Sequence, residues 1–139
     1  MKDQDLTYRT MSEVRTLTKK IRGARISHNM GITYNESLIM ATIRENPGVT
    51  SKELAAQLQS DKSTISRQVA ELEKRGYLER RMKSGNRRIH ELFLTSRGEE
   101  TLAEADSTWA RIIAAKQAGW TEREKEDFLR LLGKYNESE

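Results

Sequence analysis

Three capping boxes predict where helices begin in this chain. At Thr33, at Thr50 directly after Pro47-Gly48, and at Thr121 after Gly119, a threonine is followed three residues later by a glutamate. In such a capping box the threonine hydroxyl accepts the glutamate N–H, and the glutamate side chain accepts the threonine N–H. A helix therefore starts just after each threonine, and the pattern predicts a mainly helical chain.

Two short helices joined by a tight turn are predicted in the middle of the chain. Pro47, the only proline, ends the helix that starts after Thr33. Residues 51–58 then form a short helix, and residues 62–74 form an amphipathic one with Asp61 as its cap. This arrangement is typical of a helix-turn-helix, in which the second helix enters the major groove of DNA.

A β-hairpin is predicted after Gly76, which adopts the left-handed conformation and ends the helix over residues 62–74, the fourth helix of the chain. Residues 77–81 and 88–94 look extended, and Ser84-Gly85-Asn86 reverses the chain between them. The order helix, helix, hairpin adds a wing to the helix-turn-helix. The predicted fold class is mainly α with a small β-hairpin wing (α+β), a winged helix-turn-helix.

Amphipathic helices flank this lobe. Residues 6–22 carry a narrow apolar stripe, as expected of a helix that packs against partner helices. Thr95 is expected to cap a long fifth helix. Because only 35% of the residues are hydrophobic, we expect a homodimer that buries further apolar surface. The predicted parts are an N-terminal dimerisation helix over residues 1–30, a DNA-binding lobe over residues 31–96 and C-terminal dimerisation helices over residues 97–139.

Positive charge is concentrated around the predicted wing. The net charge is +4, yet Lys74 to Arg88 contains seven basic residues against Glu79 alone, and residues 99–139 are acidic overall. A charge run is usually a solvated face. A run on a hairpin that follows a helix-turn-helix favours nucleic-acid binding.

Several function classes find no support in the sequence. The chain has no cysteine, which excludes disulfides and thiolate metal sites. His28 and His90 show no spacing that suggests a zinc site, so neither metal nor cofactor is expected. No acid–base pair, histidine-activated nucleophile or glycine-rich phosphate loop indicates an enzyme. The charged N-terminus has no signal peptide and no apolar stretch could cross a bilayer, so we expect a cytoplasmic protein without membrane contact.

The predicted DNA contacts fall on the fourth helix and the hairpin. The outer face of the helix begins with short polar side chains that suit base edges, and Arg67 is the best candidate for a bidentate contact to guanine. At the hairpin tip arginines can enter a narrow minor groove, while Arg80 and Arg81 would meet phosphates. An ordinary exposed helix face is the alternative. The predicted set is Thr50, Ser51, Lys52, Lys62, Ser63, Thr64, Ser66, Arg67, Gln68, Arg80, Arg81, Lys83, Asn86, Arg87 and Arg88.

Residues 31–100 resemble the MarR family of bacterial regulators, most specifically in the segment DKSTISRQVAELEKRGYLER. The resemblance implies a winged helix whose N- and C-terminal helices interleave with those of a second copy. The wing motif of that family is usually Asp-x-Arg, and the matching positions here read Asn86, Arg87 and Arg88. Arg88 then corresponds to the minor-groove arginine, and Asn86 replaces the aspartate that would orient it.

The sequence thus predicts a dimeric, sequence-specific regulator of transcription that binds a pseudo-palindromic operator in double-stranded DNA. By resemblance we expect a repressor released by a small amphipathic ligand bound between the dimer helices and the DNA lobe. The candidate ligand residues, for which packing is the alternative, are Met11, Tyr34, Met40 and Trp109. A winged-helix adaptor for a protein partner is the alternative function, although Ala70 is the only apolar residue on the outer face of helix four.

Overall fold

The computed structural model describes residues 2–137, which form six α-helices and two β-strands. The helices are α1 (Lys2–Ser27), α2 (Tyr34–Glu45), α3 (Ser51–Gln57), α4 (Lys62–Lys74), α5 (Ser96–Lys116) and α6 (Glu122–Glu137). The strands are β1 (Leu78–Lys83) and β2 (Asn86–Leu94). The predicted fold class, mainly α with a β-hairpin wing, is confirmed.

All three predicted capping boxes form. Before α2 the Thr33 hydroxyl accepts the N–H of Glu36 at 3.0 Å, and the Glu36 carboxylate accepts the N–H of Thr33 at 2.8 Å. The same reciprocal pairs form at Thr50 and at Thr121. Each cap satisfies two N–H groups that a helix start would otherwise leave without a partner.

The second helix of the helix-turn-helix, α4, has the predicted bounds. Its buried face consists of Ile65, Val69 and Leu72, which recur at the spacing of one helical face. Gly76 follows with a φ of +83°, a conformation that glycine adopts without steric cost. The chain therefore leaves α4 abruptly and enters the wing.

The core lies among α2, α3, α4 and the base of the wing. Burying each large aliphatic side chain there stabilises the fold by about 1.5–3 kcal/mol, so this cluster fixes how α4 is presented. Its fully buried members are Ile32, Ile39, Met40, Ile43, Leu54, Ile65, Val69, Leu72, Leu92 and Leu102.

The wing is a two-stranded antiparallel hairpin with an irregular tip. Pairs run from Leu78↔Leu94 to Met82↔His90, after which the register shifts so that Lys83 faces Asn86. Residues 87–89 are therefore extra residues on β2, a bulge in the strand. The predicted turn was one residue too long, because only Ser84-Gly85 lie between the strands and Asn86 already belongs to β2. The predicted strands, residues 77–81 and 88–94, were each two residues too short at the tip, and the first begins one residue later than predicted.

The turn between α2 and α3 binds to the base of the wing. The N–H of Gly48 donates to the Leu92 carbonyl, and the N–H of Leu92 donates to the Val49 carbonyl, both at 2.9 Å. Val49 thus forms an isolated bridge with Leu92. These bonds join the helix-turn-helix to the hairpin through backbone alone.

The described chain divides into two compact units at the bond between Asp106 and Ser107. The first unit contains α1 to α4, the wing and the start of α5, and α1 extends beyond the predicted residues 6–22 at both ends. None of the described helices is long and apolar enough to span a membrane. The predicted division at residues 30 and 96 stays a prediction.

Candidate nucleic-acid interface

The start of α4 is organised by the carboxylate of Asp61. One of its oxygens accepts the backbone N–H of Thr64 at 2.8 Å, which caps the helix. The hydroxyls of Ser63 and Thr64 each donate to the carboxylate at 2.7 Å. These two hydroxyl bonds are the main reason why the pKa of Asp61 lies well below its ordinary value of 3.8. The carboxylate is therefore ionised at neutral pH.

Arg67 follows one turn later on the same face. Its guanidinium Nη2 lies 3.5 Å from the Thr64 hydroxyl oxygen, which accepts this long hydrogen bond. Ser63, Arg67, Ala70 and Lys74 are all exposed, as the helical spacing predicts for the outer face. Ala70 is the only apolar residue among these four, so this face does not offer the apolar surface that a protein-binding adaptor would need.

The other predicted helix residues differ in how much surface they present. Lys52 and Lys62 are exposed at the starts of α3 and α4. Ser66 and Gln68 are half-buried along the flank of α4. Half-buried Ser51 follows Thr50, whose hydroxyl donates to the capping glutamate of α3 at 2.9 Å. The Thr50 hydroxyl can therefore offer only an acceptor to a bound molecule.

Two predicted phosphate contacts, Arg80 and Arg81, have carboxylate partners within the protein. The Nε of Arg80 donates to Glu73 of α4 at 3.1 Å. Arg81 pairs with Glu79, and its guanidinium lies 4.1 Å from the centroid of the Phe93 ring. Exposed ion pairs of this kind contribute at most about 1 kcal/mol, so a phosphate can replace either carboxylate.

The wing tip carries basic side chains without such partners. Within residues 3–137, the exposed Lys83, Arg87 and Arg88 form no ion pair. The side-chain oxygen of Asn86 accepts the backbone N–H of Arg88 at 2.9 Å, which orders the bulge that carries both arginines. An amide oxygen thus provides the acceptor at the position where the resemblance expects a carboxylate.

The four candidate ligand residues are placed differently. Met11 and Tyr34 are 40% and 38% exposed, whereas Met40 is 0% exposed and lies in the core. Met40 therefore packs against other core residues and offers no surface to a ligand in this conformation. Trp109 is half-buried in the second unit. No cluster of three or more potential metal ligands occurs in the described part of the chain.

An ion pair that the sequence pattern does not predict holds the C-terminal end of α4. Arg75 donates to the Glu36 carboxylate and to the Gly31 carbonyl, both at 2.7 Å. Its guanidinium also lies 5.0 Å from the centroid of the Tyr77 ring. Glu36 thereby serves both the cap of α2 and the end of α4, and it is the one buried charged residue in the described chain. The partners are 39 positions apart, so only the capping role of Glu36 was visible in the sequence.

A winged helix-turn-helix with a basic wing and a polar second helix defines a class of DNA-binding transcription regulators. The model of the MarR family matches residues 32–90. The HTH-type transcriptional regulator BilQ of Clostridium symbiosum is 31% identical over 104 residues, which cover 75% of this chain and 72% of BilQ. The transcriptional repressor MprA of Escherichia coli K12 is 42% identical over 74 residues, 50% of this chain and 42% of MprA. The chain belongs to the MarR family, and these relatives are named as regulators of transcription and not as enzymes.

Solved structures extend the match to nearly the whole chain. The crystal structure of a MarR family transcription regulator has a TM-score of 0.83 at 26% identity and covers 97% of this chain and 91% of that one. Streptococcus pneumoniae FabT, crystallised in complex with DNA, has a TM-score of 0.72 at 21% identity and covers 99% and 96% of the two chains. The fold predicted from the sequence is therefore confirmed beyond the central lobe.

Proposed function

We propose that this protein is a homodimer that binds a pseudo-palindromic operator and represses transcription until a small amphipathic ligand releases it. In this proposal α4 reads base edges in the major groove and Arg88 enters the adjacent minor groove. The observation that carries it is the combination of a short, polar, exposed start of α4 with a wing tip whose basic side chains are not neutralised within residues 3–137. FabT, which shares the fold, has been crystallised in complex with DNA.

The two elements have different tasks. A helix can enter the major groove only where its leading side chains are short, and Ser63 and Thr64 meet that condition. Arg67 is long enough to reach guanine beyond them and can donate two hydrogen bonds to its N7 and O6. Arg87 and Arg88 on the narrow wing suit the focused negative potential of a minor groove, which depends on groove width more than on base identity.

Dimerisation is supported by apolar side chains that the described chain leaves in solvent. None of the described residues of α6 is buried, and Leu129 is 73% exposed. Phe128, Leu131, Leu132 and Tyr135 recur at three- and four-residue spacing and so share one face of α6, and an exposed apolar face marks an interaction site in many proteins. The exposed large apolar residues of α6 are Phe128, Leu129, Leu131, Leu132 and Tyr135, and those of α1 are Leu6, Tyr8, Met11, Val14, Leu17 and Ile26.

Fewer observations support repression and its release by a ligand. MprA is named as a repressor, and a repressor needs only to occupy a site that overlaps a promoter. A twofold dimer places its two α4 helices about 34 Å apart for successive major grooves. A ligand that prefers dimers with a different separation lowers DNA affinity by its differential affinity for the two states. Met11, Tyr34 and Trp109 remain candidate ligand residues, since each retains some exposed surface.

The test is a comparison of specific and non-specific DNA binding. An operator is selected from a random duplex pool, and dissociation constants for operator and random duplex are measured at several salt concentrations. Arg67→Ala should reduce the discrimination between the two by about 1–3 kcal/mol. Arg88→Ala should weaken both and lower the salt slope by about one. Arg123→Ala, which removes an exposed charge from α6, is the matched control and should change neither.

A wild-type protein that binds no selected duplex more tightly than random DNA would contradict the proposal. So would an Arg67→Ala variant with unchanged discrimination, because the base contact would then lie elsewhere.

A further inference from the structure

The hydroxyl protons of Ser63 and Thr64 at the start of α4 are already donated in hydrogen bonds within the protein. A hydroxyl has one proton to donate, and an ionised carboxylate can only accept. Because both Ser63 and Thr64 donate to Asp61 at 2.7 Å, neither proton is available to a bound molecule. The Asp61 carboxylate remains ionised throughout the neutral range because these bonds hold its pKa down.

Both hydroxyl oxygens retain lone pairs, so the two side chains can face DNA only as acceptors. In the major groove the donors are the amino groups of adenine and cytosine, whereas guanine and thymine present acceptors at the corresponding positions. A free hydroxyl would tolerate either kind of base edge. A hydroxyl with its proton held by Asp61 distinguishes them.

The same arrangement reaches Arg67. Its guanidinium donates a long hydrogen bond of 3.5 Å to the Thr64 hydroxyl oxygen. This oxygen can accept the bond because its own proton is donated to Asp61. The carboxylate therefore acts through Thr64 on the direction of the arginine. Asp61 is exposed and close to where phosphates would lie, so its negative charge by itself opposes DNA binding of any sequence.

We propose that Asp61 is a positioning residue for base readout: it makes Ser63 and Thr64 acceptor-only readers of amino-bearing bases and helps to direct Arg67. This inference rests on the proposed DNA-binding function. It predicts that selected half-sites carry adenine or cytosine where the two hydroxyls meet the contacted strand. Asp61 thus lowers overall affinity and raises specificity.

The experiment compares Asp61→Asn, Asp61→Ser and wild type by selection from a random pool and by binding to operator and random duplex. Asparagine and serine cap helices nearly as well as aspartate, so folding is retained and is checked by thermal melting. Asparagine leaves one side-chain oxygen, which frees the Thr64 proton, and serine likewise offers one oxygen, which caps the Thr64 N–H and can accept at most one of the two hydroxyls. Glu71→Gln is the matched control, since it removes one exposed carboxylate from the same helix without touching these hydroxyls.

The expected result is a loss of specificity. Asp61→Asn should lower the ratio of specific to random affinity roughly 2- to 10-fold, the worth of about one hydrogen bond, and relax base preference at one position of each half-site. Asp61→Ser should relax base preference to at least the same extent, since its single oxygen accepts at most one of the two hydroxyls. In both variants affinity for random duplex should stay equal or rise, and Glu71→Gln should keep the wild-type base preference.

Two results would overturn the inference. One is an unchanged base preference in Asp61→Asn and Asp61→Ser while wild type still selects a defined operator, which leaves the proposed function intact. The other is an equal change of the affinity ratio in Asp61→Asn and Glu71→Gln, which would assign the effect to charge alone. Absence of any selected operator for wild type contradicts the proposed function itself and is thus a separate outcome.

Discussion

Replacing Gly98 with alanine should destabilise the protein by about 2–5 kcal/mol. Gly98 is buried in the first turn of α5, against the backbone of Tyr77 at the junction of α4 and β1. A Cβ at this position would lie 3.0 Å from the Tyr77 carbonyl carbon and 3.3 Å from its Cα, with the carbonyl oxygen nearer still. Because the obstacle is backbone and not a flexible side chain, the chain itself must move.

The magnitude follows from the hydrogen bonds that such a movement would strain. The Tyr77 carbonyl accepts the N–H of Thr95 at 3.1 Å. The Thr95 hydroxyl donates to the Gly76 carbonyl at 2.6 Å and accepts the N–H of Gly98 at 3.0 Å. Overpacking costs about 1–3 kcal/mol, and each lost hydrogen bond adds about 1 kcal/mol. The sum is large against a total stability of about 5–15 kcal/mol.

Thermal unfolding followed by circular dichroism measures the effect, at a fixed protein concentration because the proposed dimerisation would change the apparent Tm. Gly98→Ala should lower Tm by roughly 6–20 °C. Gly23→Ala is the matched control: a Cβ there meets nothing within 4 Å, so alanine should hold or raise Tm through its better helix propensity. A Gly98→Ala variant that melts together with wild type would refute the close-packing argument.

Three further predictions concern the wing, the interface and the end of α4. Asn86→Ala should weaken operator binding up to about 10-fold, because the wing bulge loses its acceptor, and Asn86→Asp should bind more tightly than Asn86→Ala; equal affinities would contradict this. Phe128→Glu should yield monomers in sedimentation velocity while Glu126→Ala remains dimeric, and a dimeric Phe128→Glu would exclude this face. Arg75→Met should cost about 2–4 kcal/mol of stability by leaving the buried Glu36 carboxylate without its partner, and Glu36→Gln should cost less; the reverse order in thermal melts would contradict this account.

Features set by neighbouring residues could be predicted from the sequence. Capping joins positions three apart, so helix starts at Thr33 and Thr50 were visible without tertiary information. The roles of Gly76 and Thr95 were also predictable from the sequence. The structure shows the expected left-handed φ at Gly76 and a capping hydroxyl at Thr95. The bounds of α4 followed from an apolar face between two such local signals.

Features that depend on contacts between residues far apart in the chain could not be predicted from the sequence. The bridge between Val49 and Leu92 involves a single residue on one side, too short for any strand pattern. The bulge at residues 87–89 changes the pairing register of the wing, and the residue types at these positions do not indicate it. The ion pair between Glu36 and Arg75 requires α2 and α4 to be packed first.

In the candidate interface, too, the residue types could be predicted from the sequence and their contacts could not. Counting charges indicated a basic wing but could not separate the paired arginines, such as Arg80 with Glu73 of α4, from Lys83 and Arg88 at the tip. Likewise, Ser63 and Thr64 were expected to suit base edges of any kind, whereas their hydrogen bonds to Asp61 leave only acceptors.

The central claim is that the start of α4 and the tip of the wing contact the same stretch of DNA, and directed cleavage of DNA tests it most directly. The chain has no cysteine, so an iron-chelate cleavage reagent can be attached at one position in Ala70→Cys or in Ser84→Cys, each bound to the selected operator. Cleavage from position 70 should fall inside each half-site and cleavage from position 84 at its flank, within about one helical turn of roughly 10 base pairs. Uniform cleavage from position 84, or none while position 70 cleaves its half-site, would contradict the account.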